Sequence, residues 1–190
     1  IVCLCNNNNT IVVHDQRYGP FRNNGNNNHI GWYIYDLKFS PDGSFLVSTS
    51  NNCIVTLWDN NIGNYEQLQR WNIKEEVTGG HNDFCLIDVS PCSKYIIVAP
   101  SFGNRVFLKD AENRGKTIKS LTPHPVMESI TEIKFSIDGH AVFVCGKKFD
   151  TDTVIMLWRP YLDNADEDSL ITLWAPTNPD FVDYMHALSR

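Results

Sequence analysis

Histidine is the first side chain to weigh for metal or acid–base chemistry, and six punctuate this chain, at His14, His29, His81, His124, His140 and His186. None stands in a His-x-x-x-His or His-x-x-Glu-His spacing, so nothing local gathers two imidazoles onto one ion; they read as structural loop histidines. Asp150, Asp152 and the run Asp163-Asn164-Ala165-Asp166-Glu167-Asp168 offer the oxygen ligands that calcium favours. However, Val154 and Leu170 fall where a calcium loop needs ligands, so these read as solvated acidic loops. Gly115-Lys116-Thr117 has the ending of a phosphate loop, but Asp110 occupies the place of its required first glycine; the segment reads as a turn into a strand. No Gly-x-Ser-x-Gly nucleophile elbow is present, and Asn8-Asn9-Thr10 matches a glycosylation sequon only by chance in an Asn-rich chain. No catalytic, cofactor-binding or metal residue is assigned, no cofactor is implied, and the expectation is a protein that is not an enzyme.

Bulk properties narrow the classes further. Apolar residues make up 42% of the chain and aromatics 12%, which fits a globular domain with a real core. No run approaches the roughly eighteen apolar residues of a membrane-spanning helix. A formal charge of -6 argues against nucleic acid as the main direct partner, since phosphate contacts need a basic surface. The six cysteines, Cys3, Cys5, Cys53, Cys85, Cys92 and Cys145, sit in or beside apolar runs without Cys-x-x-Cys spacing and read as buried free thiols of a reducing compartment. With no signal peptide visible, the expected location is intracellular, cytoplasm or nucleus. Ile1 to Cys5 already reads as a strand, so the chain reads as one entered midway.

The elements that position these residues are short strands. In Tyr35 to Asp59, Leu37 and Phe39 alternate with Lys38, and Phe45 and Val47 alternate with Ser44, Leu46 and Ser48; Ile54, Val55 and Leu57 form a third apolar run. Ser40-Pro41-Asp42-Gly43 is a turn between the first two runs, and Asn51-Asn52 is a turn between the second and third. A fourth strand is expected at Gln67 to Trp71. The same order recurs: Ser90-Pro91 matches Ser40-Pro41, Phe135-Ser136-Ile137-Asp138-Gly139 matches Phe39 to Gly43, and Leu157-Trp158 matches Leu57-Trp58. Outer strands are expected at Ile118 to Leu121 and Leu170 to Trp174. His14, Trp58, Lys109 and Trp158 occupy one repeated strand-end position at intervals of 44, 51 and 49 residues. Between the first two copies, Asn23 to Asn28 carries no apolar periodicity and is expected to be a loop.

A meander that ends in Leu57-Trp58-Asp59 and recurs near this period resembles the WD40 (Trp-Asp) repeat, the blade of a β-propeller. The resemblance implies an all-β fold of about three and a half four-stranded antiparallel blades, part of a ring of about seven. It divides the chain into a half-blade at 1–22, the Asn-rich loop at 23–28, blades at 29–73, 81–121 and 124–174, and a tail at 175–190. Blades of this family carry a His–Ser–Asp–Trp hydrogen-bond network. The resemblance implies that His29, Ser48, Asn52 and Trp58 form it in the clearest copy, with Asn52 in the place of Asp. The second copy keeps His81 but places Ala99, Gly103 and Lys109 at the other positions; the third offers His124, Cys145, Asp152 and Trp158.

What the family implies about function is a non-catalytic protein–protein interaction scaffold, a propeller subunit of a multiprotein assembly. The alternative is a substrate-receptor or regulatory subunit of an enzyme complex (chromatin, RNA processing or ubiquitin-related), and a metal-dependent propeller enzyme ranks last. Partners are expected to be proteins or peptides. Trp32 and Tyr33, just before the first strand of a blade, would sit on the rim where propellers bind peptides. Open arrays leave strand edges unpaired, so further residues of the same polypeptide are expected to complete the ring.

Overall fold

The computed structural model describes residues 2–5, 11–15, 19–21, 34–50, 53–61, 64–73, 84–102, 105–122, 128–148, 152–160 and 170–174. They form four antiparallel sheets, each a simple meander in chain order. Sheet I holds β1 (Val2–Cys5), β2 (Ile11–Asp15) and β3 (Gly19–Phe21). Sheet II holds β4 (Ile34–Phe39), β5 (Phe45–Ser50), β6 (Ile54–Asn61) and β7 (Asn64–Asn72). Sheet III holds β8 (Cys85–Val89), β9 (Tyr95–Pro100), β10 (Val106–Asp110) and β11 (Lys116–Leu121). Sheet IV holds β12 (Ser129–Phe135), β13 (Val142–Lys148), β14 (Asp152–Trp158) and β15 (Leu170–Trp174). No described helix is long and apolar enough to cross a membrane. The unit expected from two strands in residues 1–22 has a third, β3, paired to β2 through Val13–Phe21, His14–Pro20 and Asp15–Gly19. Its Gly-Pro-Phe sequence hides it from periodicity, yet proline is tolerated on a sheet's edge strand.

The core lies between sheets. On β9, Ile96 and Val98 join Phe45, Val47, Val55, Leu57 and Ile73 of sheet II, while Ile97 and Ala99 join Ile133, Phe135, Val142, Val144, Met156 and Trp158 of sheet IV. A strand covered on both faces has no solvent side, so Tyr95 to Pro100 reads as a continuous apolar run rather than an alternation. Each branched or aromatic side chain sealed in this way contributes about 1.5–3 kcal/mol relative to exposure. Sheets II, III and IV therefore hold one another in place.

The turn after each first strand is built three times on one plan. The N–H groups of Gly43, Ser93 and Gly139 donate to the carbonyls of Ser40, Ser90 and Ser136, each at 2.9 Å. The same serines then accept, at Oγ, the N–H of Phe45, Tyr95 and Ala141, again at 2.9 Å. The fourth turn residue takes the left-handed conformation (φ 76° at Gly43, 61° at Ser93, 74° at Gly139), which favours glycine at two of the sites. Ser93 adopts it without being glycine, and its hydroxyl accepts the Asp42 N–H of the neighbouring turn at 3.1 Å. Adjacent turns are thereby coupled, and Pro91 likewise lies against Gly139.

Asp42 is the charge in this arrangement. Its carboxylate accepts the Ser44 N–H at 2.9 Å and the Ser44 hydroxyl at 2.8 Å. The Ser44 backbone bond, reinforced by the serine hydroxyls around it and opposed by desolvation, lowers its pKa from 3.8 to about 2. A folded-state pKa depressed in this way adds stability that is complete above the unfolded pKa and lost as pH falls through the folded one. We expect the urea midpoint to decline between about pH 4 and about pH 2, and Asp42→Asn to flatten that part of the profile. An unchanged acid limb in the variant would remove Asp42 from the account.

Candidate functional site: blade seams and an aromatic rim

Two kinds of position carry polar or aromatic side chains that the core alone does not explain: the seams between sheets, and the end of the molecule where the first strands of the blades begin. In sheet II, Trp58 is 2% exposed and its Nε1–H donates to Ser48 Oγ at 2.8 Å. Trp58 pairs with Leu46 across β5–β6, and Ser48 lies one pair further along on the same face. The two side chains of the expected network that fall among described residues of this blade are thus in direct contact. His29, Asn52, His81 and His124 lie outside the described residues, as do Trp32, Tyr33 and Gly103. Asp152 opens β14, paired with Lys148.

Strand register corrects two of the sequence equivalences. In sheet IV, Trp158 pairs with Val142, so the residue matching Ser48 is Val144, and Cys145 falls on the opposite face. In sheet III, Lys109 pairs with Ile96, so the match is Val98 and not Ala99. Val98 and Val144 each lie eight residues after their turn serines, Ser90 and Ser136, as Ser48 does after Ser40, so the two equivalences are one residue off and a slip of one inverts the face. Trp158 is 2% exposed and packs in the apolar cluster between sheets III and IV. A third correction concerns Cys92, expected to be buried but exposed on its turn, whereas Cys53 and Cys85 are buried. Burial, with the charge of Glu132 adding to it, raises the pKa of the half-buried Cys145 thiol.

In sheet III the Trp position is filled by Lys109, 1% exposed. Its Nζ donates to Thr117 Oγ1 at 2.8 Å and lies 5.5 Å from the Trp71 ring centroid and 5.8 Å from that of Phe107. A buried lysine head needs such partners, and aromatic faces supply negative potential to it. Trp71 belongs to β7 of the preceding sheet, so this contact crosses the seam. The indole is also held on its edge, donating from Nε1 to the Arg114 carbonyl at 3.1 Å. Gly115, at φ +69°, lies flat against it: a methyl there would stand 1.7 Å from Trp71 Cζ2. The Gly-Lys-Thr segment that resembled a phosphate loop is in fact the turn and first strand residues on which the seam closes. Sequence reading noted the loss of Trp at 109 but missed this replacement; a lysine at a position reserved for a buried aromatic was the available signal.

At the end of the sheets where β4, β8 and β12 begin, Tyr35 stacks on Phe84 with centroids 4.8 Å apart at 21°. The Ser101 N–H donates to the Phe84 carbonyl at 2.9 Å, and the Ser101 carbonyl accepts the Ile130 N–H at 2.8 Å, which brings the next residue, Phe102, to this same end. Tyr35 is 52% and Phe102 59% exposed, large fractions for rings beside an ordered backbone. Among the described residues no group of three or more His, Cys, Asp or Glu side chains is placed to hold a metal.

Consecutive four-stranded meanders packed face to face define a β-propeller array. The family model "WD domain, G-beta repeat" matches residues 25–59, the segment that contains β4 to the Trp58–Asp59 end of the opening blade. The chain carries a WD40 repeat and has the fold of the WD40-repeat propellers. It is 23% identical over 161 residues to apoptotic protease-activating factor 1 of Danio rerio, a match covering 77% of this chain and 12% of that protein. Its fold superposes on the crystal structure of RRP9 WD40 repeats with a TM-score of 0.52, at 18% identity, over 73% of this chain and 37% of that one. A chain in the crystal structure of the mitotic checkpoint complex gives a TM-score of 0.54 at 18% identity, over 77% of this chain and 37% of that one. The chain therefore spans about a third of the solved chains and about an eighth of the zebrafish protein.

Two substitutions test the seams. Ser48→Ala leaves the buried Trp58 N–H without its acceptor and should cost about 1–3 kcal/mol in urea unfolding. Gly115→Ala forces a methyl onto the Trp71 ring from a left-handed residue and should cost about 2–4 kcal/mol. Either variant unfolding like the parent chain would mean that its contact contributes nothing to stability.

Proposed function

We propose that this chain is part of a non-catalytic WD40 interaction scaffold, a propeller subunit of a multiprotein assembly that docks protein or peptide partners on its aromatic rim. The observation that carries the reading is the exposed pair Tyr35 and Phe102, backed by Phe84 and tied to the sheets through Ser101. Rings held by a rigid frame lose little entropy on binding, and aromatic anchors supply much of the affinity of protein interfaces. Trp32 and Tyr33 immediately precede β4, so we assign them to the same partner-binding surface. His29, Ser48, Asn52 and Trp58, with His81, His124, Asp152 and Trp158 in the later blades, are assigned a structural role beneath it. That one structural neighbour belongs to a checkpoint complex supports an assembly role in kind, without naming a partner. The buried cysteines Cys53 and Cys85, which form no disulfide, support an intracellular, reducing location.

The experiment is affinity purification of the natural polypeptide at low salt with mass spectrometry, alongside a Tyr35→Ala/Phe102→Ala variant. A Leu68→Ala/Ile118→Ala variant removes exposed apolar residues from the outer strands instead and serves as control. The rim variant should lose its co-purifying proteins at least about tenfold with an unchanged melting temperature, and the control should retain them. A wild-type chain that purifies alone, or a rim variant that keeps its partners, would overturn the reading.

A further inference from the structure

Three serine or threonine residues in this chain are followed by proline: Ser40-Pro41, Ser90-Pro91 and Thr122-Pro123. The sequence makes them alike and the structure separates them. Ser40 and Ser90 are 3% and 0% exposed, and their hydroxyl oxygens accept the Phe45 and Tyr95 N–H groups inside the turns. Neither oxygen can be reached without opening its turn. Thr122 is exposed, one residue past the end of β11. β11 is the outer strand of sheet III, paired within the sheet to β10 alone, so one edge of its backbone is open. A residue before proline is also biased away from the helical region toward extended backbone. An exposed hydroxyl on extended backbone, followed by a residue with no N–H, is the form in which proline-directed protein kinases take their substrates.

The opposite strand supplies the second element. β10 and β11 pair Leu108 with Lys119, Phe107 with Ser120 and Val106 with Leu121. One step further, the same register sets Arg105 across from Thr122, and Arg105 is exposed as well. Directly opposed residues of an antiparallel pair have Cβ atoms about 4.5–5.5 Å apart, a span well within the reach of an arginine side chain.

We propose that Thr122 is a phosphorylation site for a proline-directed protein kinase, and that Arg105 receives the phosphate. In the transfer the Thr122 hydroxyl oxygen attacks the γ-phosphorus of ATP. The new O–P bond forms as the bond to the β,γ-bridging oxygen breaks, ADP leaves, and the hydroxyl proton passes to the kinase's carboxylate base. The product carries about two negative charges, and its oxygens accept the parallel N–H groups of a guanidinium. Arg105 lies three residues after Phe102 of the rim, so this clamp ties the chain beyond Phe102 to the end of β11. Docking on the rim is not a premise of the inference, and either proposal can fail alone.

The test incubates the natural polypeptide with ATP and a mitogen-activated protein kinase and maps the phosphate by peptide mass spectrometry. Thr122 should be modified, and Ser40 and Ser90 at least about tenfold less, since they become accessible only through local opening. The phosphorylated protein is then exposed to a phosphatase beside phosphorylated Arg105→Gln. The parent should lose its Thr122 phosphate at least about threefold more slowly, because a phosphate held by arginine is withheld from the enzyme. Absence of phosphate on Thr122, equal phosphate on Ser40 or Ser90, or equal dephosphorylation of parent and Arg105→Gln would overturn the proposal.

Discussion

A small antiparallel sheet with apolar side chains on both faces cannot stand alone in water, and everything else in this molecule follows from that. Sheet III is the clearest case, because β9 and β10 send alternate residues to opposite seams and leave none for solvent. Such a sheet requires a neighbour on each side, and the neighbour has the same requirement. The architecture is therefore an array by necessity, and its stability resides in the seams more than in any one blade.

Polar devices keep the seams in register. Apolar contact alone would tolerate some sliding of one sheet over another; directed hydrogen bonds do not. Asp88 accepts the Phe135 N–H of the next sheet at 2.8 Å, Ser93 accepts from Asp42, and Ser101 links Phe84 to Ile130. Within the blades, the tryptophan position has found more than one chemical solution: an indole bonded to Ser48 in sheet II, a lysine beside two rings in sheet III, and an indole within the apolar cluster between sheets III and IV in sheet IV. All three occupy the same register position, paired with Leu46, Ile96 and Val142. What the fold demands there is a large side chain that fills the seam.

A frame of this kind fixes its strands and lets its loops open at the ends. The stacked Tyr35 and Phe84 and the exposed Phe102 stand at such an end, supported by backbone bonds rather than by flexible stems. Their geometry is inherited from the start points of β4 and β8, so specificity can change at the rim without any change in the seams.

The sequence by itself determined the strand order, the serine turns and the repeat, since period-two patterning and the Ser-Pro-Asp-Gly chemistry are local properties that need no partner to be read. The resemblance also named Ser48 and Trp58, which are hydrogen-bonded to one another. Sequence patterning did not reveal β3, whose Gly-Pro-Phe sequence carries no alternation, and the equivalences drawn at Cys145 and Ala99 fall one residue from the true ones, Val144 and Val98, on the opposite face. Only the tertiary structure decided which face of each strand meets which neighbour, that Lys109 lies against Trp71 of another sheet, and that Phe102 comes to the same end as Tyr35 and Phe84. Those are contacts between residues distant in the chain, fixed by how curved sheets stack, and no window of sequence contains them.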